Sequence, residues 1–232
     1  MRCNDSEVFV IPSQSSVAYE GIKEMIFRLE LLPGTHIPEI QLSEKLSLSR
    51  TPVHDALRRL AAEGLVTISQ NRGATVTSFS EKEIQEIGVV RLSQDILSTQ
   101  LAAYYGSSSD FDRLYHLAEI CEEVTAKGDV YGRISSDRDF HLEIARISGN
   151  SRLIRQQEMI YQLVYLIQVS QYIDVAHSLL QIHHHKPIVE ALRKADIDRL
   201  NDLCCEHIRD FHHLDPYLFG KHGNVKRLKL SF

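Results

Sequence analysis

Long hydrophobic runs are missing from this chain. The longest unbroken apolar stretch, Leu163 to Ile167, falls far short of the ~18–20 residues that a membrane span requires, so no membrane partner is expected. Cysteine is scarce: Cys3, Cys121, Cys204 and Cys205 form no CxxC pair and the last two are adjacent, which excludes a disulfide framework and points to a reducing cytoplasm. Residues 1–10 hold one arginine followed by acids, without an apolar core or a cleavage pattern, so no secretion signal is expected. An excess of positive charge is also lacking. The 26 Lys and Arg stand against 31 Asp and Glu, a net of -5, which argues against indiscriminate coating of nucleic acid but leaves room for a small DNA-reading surface. Tryptophan is absent, whereas histidine occurs 12 times and raises metal or proton chemistry. With 43% apolar and 25% charged side chains over 232 residues, the chain is globular, with one large or two small domains.

Periodicity divides the sequence in two. The apolar positions Val17, Ile22, Met25, Ile26 and Leu29 have helical spacing, and Pro33-Gly34 is expected to stop that helix. A short helix fits Ile40 to Leu46. After the turn Ser47-Leu48-Ser49, a third helix runs from Thr51 to Glu63 with Pro52 in its first turn, where a missing N–H costs nothing, and Gly64 as its stop. Leu65 to Ile68 and Ala74 to Thr77 then read as two strands around the turn Gln70-Asn71-Arg72-Gly73. Helix, helix, turn, helix and hairpin is the order of a winged helix-turn-helix. Ser80 with Glu83 three residues on reads as a capping box opening the next helix. Strand signals vanish thereafter, and amphipathic stretches over 82–105, 110–127, 130–147, 151–171, 174–194 and 197–219 predict a helical bundle, with Pro187 kinking or starting a helix near His185. The fold class is mostly α: a frayed start (1–14), a winged helix-turn-helix domain (15–79), an all-helical domain (80–220) and a basic tail (221–232).

Between Arg50 and Arg72 four arginines face only Asp55 and Glu63, so positive charge gathers where the third helix and the hairpin turn would meet a duplex. The amides of a helix N-terminus and the Ser49 and Thr51 hydroxyls suit phosphate, and Arg50 can read a guanine edge bidentately. Arg72, on the wing tip, can enter a minor groove or hold phosphate, and Gly73 serves the turn's backbone. His54 reads equally as a phosphate contact or a surface residue, and Arg58 and Arg59 read first as solvated or paired with acids.

The run from Leu48 through Ser49-Arg50-Thr51-Pro52-Val53-His54 to Leu60, together with Leu32-Pro33-Gly34, Glu63-Gly64-Leu65-Val66 and Asn71 to Val76, resembles the DNA-binding domain of the GntR family over residues 15–78. The resemblance implies a transcription regulator binding double-stranded operator DNA through Ser49, Arg50, Thr51, His54, Arg58, Arg72 and Gly73. At the position of His54 that family usually carries arginine.

In the helical half, Asp137 and His141 are four residues apart and share one helical face, close enough to chelate one ion, although most such pairs are ordinary surface pairs. His185 and His207 lie on two later helices with a separation that suits antiparallel neighbours. One carboxylate with three imidazoles suits Zn²⁺, Ni²⁺, Mn²⁺ or Fe²⁺. The run His183 to His185 also reads as merely exposed, and so do His212 and His213. The pattern Asp137-x-x-Phe140-His141, then Ile147 to Asn150, then His185 to Leu192, Asp196 and His207-Ile208, is similar to the FCD ligand-binding domain over roughly 81–219. That similarity implies a metal held by Asp137, His141, His185 and His207, with His184 competing for the place of His185 if Pro187 shifts the helix phase. It also implies a homodimer, and a small carboxylate effector beside Arg91. A surface salt bridge from Arg91 to Asp95 is the bland alternative. The functional expectation is a cytoplasmic regulator whose operator affinity answers to that effector. The competing reading is a metal-dependent hydrolase with an accessory winged helix, although no nucleophile elbow, phosphate loop or HExxH pattern is present.

Overall fold

The computed structural model describes residues 12–70 and 72–215, and the chain divides into two compact units with the boundary between Ser78 and Phe79. The expected basic tail lies outside the described residues, as does most of the expected frayed start. Its last residues are ordered: Ser13 caps α1 (Gln14–Phe27) by accepting from the Ser16 amide.

In the first unit α1 buries Ala18, Ile22 and Ile26 against the apolar stripe of α3 (Arg50–Ala62), formed by Val53, Ala56, Leu57 and Leu60. The sequence places the end of α1 at Pro33-Gly34, but the helix stops at Phe27. Leu29 turns left-handed (φ 56°), and the Glu30 and Leu31 amides fold back onto the Met25 carbonyl, so the last turn closes without glycine. The short α2 (Glu39–Lys45) leads through Ser47, also left-handed, into α3, whose Pro52 is in the first turn as expected. Strands β1 (Val66–Ser69) and β2 (Gly73–Val76) pair antiparallel with Val66 opposite Val76, and His36 adds a bridge to Thr75 on the free edge. That bridge explains Gly73: at φ +72° a Cβ there would lie 2.8 Å from the His36 ring.

The second unit is wholly helical among its described residues. Ser80 and Glu83 form the expected capping box at the start of α4 (Glu81–Tyr105), followed by α5 (Ser108–Ala126), α6 (Val130–Ile147) and α7 (Ser151–Ser170). The stretch 174–194, read as one amphipathic segment, is two helices, α8 (Val175–Ile182) and α9 (His185–Arg193). Pro187 is the reason: without an N–H and with a fixed φ it fits only the first turn of a helix, so a new one begins at His185. The last helix, α10 (Ile197–His212), stops short of the expected 219, at a left-handed His213 whose amide caps the Arg209 carbonyl.

One apolar cluster joins α5, α6, α9 and α10 around Phe140, Ile188 and Leu203; another joins α4, α6, α7 and α10 around Tyr161 and Phe211. Between them the middle of α4 buries Arg91, Asp95, Ser98 and Thr99, a polar seam through the bundle interior. Helices α4 and α10 approach closely at Gly88, where an added Cβ would run into Cβ and Cγ of the buried His212. Gly88→Ala is expected to destabilise the protein by about 1–3 kcal/mol through overpacking, exceeding the ~1 kcal/mol that alanine gains in helix propensity, as read by urea unfolding.

Candidate metal centre

Helix α6 presents Asp137 and His141 from consecutive turns, α9 contributes its first residue, His185, and α10 contributes His207. One ligand atom from each of these four buried residues lies within 4.8 Å of all the others. His141 Nε2 is 3.0 Å from His207 Nε2, and His185 Nε2 is 3.2 Å from Asp137 Oδ1. Four helical segments fix these side chains: Phe140 stacks on His185 at 4.3 Å, and Gln168 of α7 donates to Asp137 Oδ2 at 2.8 Å, leaving Oδ1 toward the imidazoles.

The donor chemistry fits a metal ion. Burial holds His141 and His207 well below the ordinary imidazole value, so both are neutral, the form that ligates. Burial alone would raise the Asp137 carboxyl, but His185 and His141 beside it outweigh that and hold it well below the usual carboxylate range. Both ring nitrogens of His185 and Nδ1 of His207 have no hydrogen-bond partner, and the His185 contact to Asp137 lacks hydrogen-bond alignment. A dry, unpaired nitrogen costs about 1–3 kcal/mol, and a cation beside Asp137 Oδ1 removes that penalty at His185 Nε2, the one of the three that faces the cluster. Behind His141, Asp95 Oδ2 lies 3.6 Å from Nδ1, the carboxylate–imidazole arrangement that orients a ligating histidine.

Arg91 is not at the surface: it is 1% exposed. Its pairing with Asp95, at 3.4 Å, exists, but as a buried pair rather than the surface bridge considered from sequence. The guanidinium also meets Tyr161 Oη at 3.2 Å, His212 Nε2 at 3.4 Å and His141 Nε2 at 3.4 Å. Asp95 accepts from Gln157 at 2.6 Å and from Tyr161 at 2.8 Å; burial nonetheless pushes its carboxyl up to about 6. His212, read from sequence as exposed, is fully buried; its Nδ1 is 3.0 Å from the Ile84 carbonyl and donates to it, so Nε2 accepts from Arg91. Beside His141 and His207 a cavity of about 10 Å³, also lined by Asp95, Thr99 and Cys204, is at the lower limit for one water. Of the histidine run, His185 joins the centre, His184 turns to Glu206 at 3.5 Å, and His183 is exposed.

In the first unit Ser49, Arg50, Thr51, His54 and Arg58 are all exposed at the start and along one side of α3, and Arg72 is exposed beside Gly73 on the hairpin. His54 Nδ1 lies 3.7 Å from Glu39. Arg59 is withdrawn from that side, lying 3.6 Å over the Tyr19 ring and bridged to Glu63, as expected of a paired arginine.

The FCD domain family matches residues 86–210, and the gntR family of bacterial regulatory proteins matches residues 14–76. The chain belongs to the GntR family. It carries that family's winged helix-turn-helix followed by an FCD domain. The HTH-type transcriptional regulator YdhC of Bacillus subtilis is 25% identical over 202 residues, 86% of this chain and 90% of that one. The Uxu operon regulator of Haemophilus influenzae is 26% identical over 219 residues, 81% and 80% of the two chains. The solved structure of Escherichia coli McbR/YncC superposes with a TM-score of 0.75 at 22% identity over 86% of this chain and 95% of that one, a likeness of fold. The protein is a transcription regulator, not an enzyme, so the hydrolase reading falls away, and no helix among the described residues is long and apolar enough to cross a membrane.

Sequence reasoning missed Gln157, Tyr161 and Gln168 in the FCD domain, although their spacing of four and then seven residues along α7 places them on one helical face with the apolar Val164. His212 follows Ile208 by one turn on the buried side of α10 and was legible the same way. Asp95→Ala strands the Arg91 cation in a dry interior and is expected to cost about 3–5 kcal/mol, whereas replacing the pair together by Met and Leu costs less; urea titrations of both variants measure the difference.

Proposed function

We propose that this GntR-family regulator binds operator DNA as a homodimer and that its affinity is set by a small carboxylate effector bound at a divalent metal in the FCD domain. The ligands are Asp137, His141, His185 and His207, and the observation that carries the reading is their convergence within 4.8 Å in a buried site. Three imidazoles, one carboxylate and no thiolate suit Zn²⁺, Ni²⁺, Mn²⁺ or Fe²⁺. The bound ion supplies a Lewis-acid anchor for an effector oxygen.

Charge balance favours an anionic effector. Among the described residues the buried Asp, Glu, Lys and Arg side chains are Arg91, Asp95, Arg133 and Asp137, two of each sign, beside histidines of which His141 and His207 are held neutral. A dication added to that set leaves two positive charges without counter-charge in a low-dielectric interior, and an anion beside Arg91 relieves the excess. Arg91 is held ready for it: Tyr161, Asp95 and His212 fix its guanidinium within 3.4 Å of a ligating imidazole. An effector shifts operator affinity only by the difference between its affinities for the DNA-competent and DNA-incompetent arrangements. Operator titrations with candidate small carboxylic acids, before and after metal removal by chelation, test this: a shift is expected only in the metal-loaded protein, and chelation is expected to lower the melting temperature. Absence of any shift with every acid rejects the switch.

Ser49, the N-cap residue of α3, and Arg50, Thr51 and Arg58 of α3 are assigned to the major groove and its flanking phosphates, with Arg72 and Gly73 of the wing assigned alongside. His54, beside Glu39, stands where the family usually has arginine. His54→Arg gives that position a permanent cation and is expected to tighten operator binding and steepen its salt dependence by about one phosphate contact. Arg50→Ala is expected to weaken it by about 1–3 kcal/mol. Fluorescence anisotropy at two fixed salt concentrations reads both.

A further inference from the structure

A ligand cluster this deeply buried needs a way in for its ion, and the surroundings of the four residues differ sharply in charge. Toward α4 the guanidinium of Arg91 lies 3.4 Å from His141 Nε2. On α6 itself the buried Arg133 precedes Asp137 by one turn and its charge acts on that carboxylate. The small cavity beside His141 and His207 is walled in part by Ile144, Ile188 and Ile208. A dication is repelled from the first two directions, and the third is a pocket the size of one water whose lining residues are all buried, so none of them leads an ion in from solvent.

The remaining direction, at the junction of α8, α9 and α10, is built differently. Glu206, 51% exposed, lies one residue before His207 on α10, and Asp210 is exposed one turn further on. Glu206 Oε2 is 3.5 Å from Nε2 of His184, whose side chain is 9% exposed. His184 Nδ1 is buried with no hydrogen-bond partner. The exposed His183 ring is 3.7 Å from the His184 ring, and the His184 ring is 5.9 Å from that of the ligand His207. Oxygen and nitrogen donors thus run from solvent to the centre: Glu206 and His183 at the surface, then His184, then His207. Only two of these groups, Glu206 and His184, pair directly, and among the described residues no cluster of three or more ligands exists apart from the buried four, so this is a place where an ion pauses rather than stays.

We infer that His184 and Glu206, with His183 at the mouth, form the port through which the divalent cation is loaded into and released from the buried centre. The inference rests on the metal reading above. A port lowers the barrier in both directions, so it changes rates and leaves the equilibrium alone.

The experiment is stopped-flow Zn²⁺ uptake by metal-stripped full-length protein, followed with a chromophoric Zn²⁺ indicator, and Zn²⁺ release into excess chelator, for wild type, His184→Gln and Glu206→Gln. The second variant alters an exposed side chain, so it keeps the test open if the first folds poorly. Both are expected to slow uptake and release together by about threefold to tenfold with equilibrium affinity unchanged, and the Glu206→Gln effect is expected to shrink at high salt. Wild-type rates in both variants overturn the port and leave the metal centre standing. Weaker equilibrium affinity with an unchanged uptake rate also overturns it, because the residues then act on the site itself. A wild-type protein that takes up no Zn²⁺ overturns the metal reading and the port with it.

Discussion

Ionised side chains inside a small helical domain set the terms for everything around them. A carboxylate or guanidinium taken out of water costs several kcal/mol unless an opposite charge and further hydrogen bonds meet it in good geometry. In this FCD domain Arg91 and Asp95 share α4, and Asp137 lies on α6; Tyr161 and Gln157 from α7, His212 from α10 and Gln168 from α7 complete their hydrogen bonding. Each of those partners comes from a different helix than the charge it serves. A rotation of one helix by a single residue, about 100°, would strand at least one of these groups. The polar seam therefore fixes the rotational phase of α4, α6, α7 and α10 more strictly than the surrounding apolar clusters, which tolerate exchange of one aliphatic side chain for another.

That constraint gives the proposed sensing site its physical leverage. Two ligands are one turn apart on α6 and move together, whereas His185 stands at the start of α9, straight after the break that Pro187 imposes, and His207 rides on α10. An ion held by all four ties the N-terminus of α9 to two other helices. Without it His185 Nε2, 3.2 Å from Asp137 Oδ1, is a buried nitrogen with no hydrogen-bond partner, a cost that bears on the placement of α9. On the proposed reading, metal binding and the placement of α9 are coupled, which is the form a two-state element must take for a ligand to bias it.

How much of this was readable in the sequence follows from what local pattern encodes. Pro52, Gly64, the capping pair Ser80–Glu83 and the strand alternation around Arg72-Gly73 act within a few residues of themselves, and the structure has those elements where the pattern puts them. Asp137 and His141 announce themselves by their four-residue spacing; that His185 rather than His184 faces them depends on the helix phase that Pro187 starts. Tyr161, Gln157, Gln168 and His212 sit on the inward sides of their helices by spacing, but a polar residue on an amphipathic stretch is assigned to solvent by default, so their partners were not readable. They are inside because they answer charges on other helices, and that information sits some 30 to 120 residues away in the chain. The early end of α1 was invisible for another reason: Leu29 and Ser47 adopt left-handed backbone without being glycine, and only the surrounding hydrogen bonds favour it.

The same economy of charge bears on the DNA side. The chain as a whole is acidic, and Arg59, which composition alone would count toward a basic surface, is spent on Tyr19 and Glu63, where Tyr19 also donates to Glu63 at 2.6 Å. Arg50, Arg58 and Arg72 are the arginines left exposed on the proposed reading surface of one winged helix. Three arginine contacts release few counterions, which predicts weak binding by a single winged helix at physiological salt, while the acidic bulk opposes binding to arbitrary sequence. In the proposed homodimer, two protomers on adjacent half-sites make the second contact intramolecular, and the product of two weak affinities becomes a tight one only when the spacing of the two winged helices matches the operator. A regulator built this way has its affinity governed by spacing rather than by the strength of either surface, and spacing is the quantity that a rearranged helical domain can change.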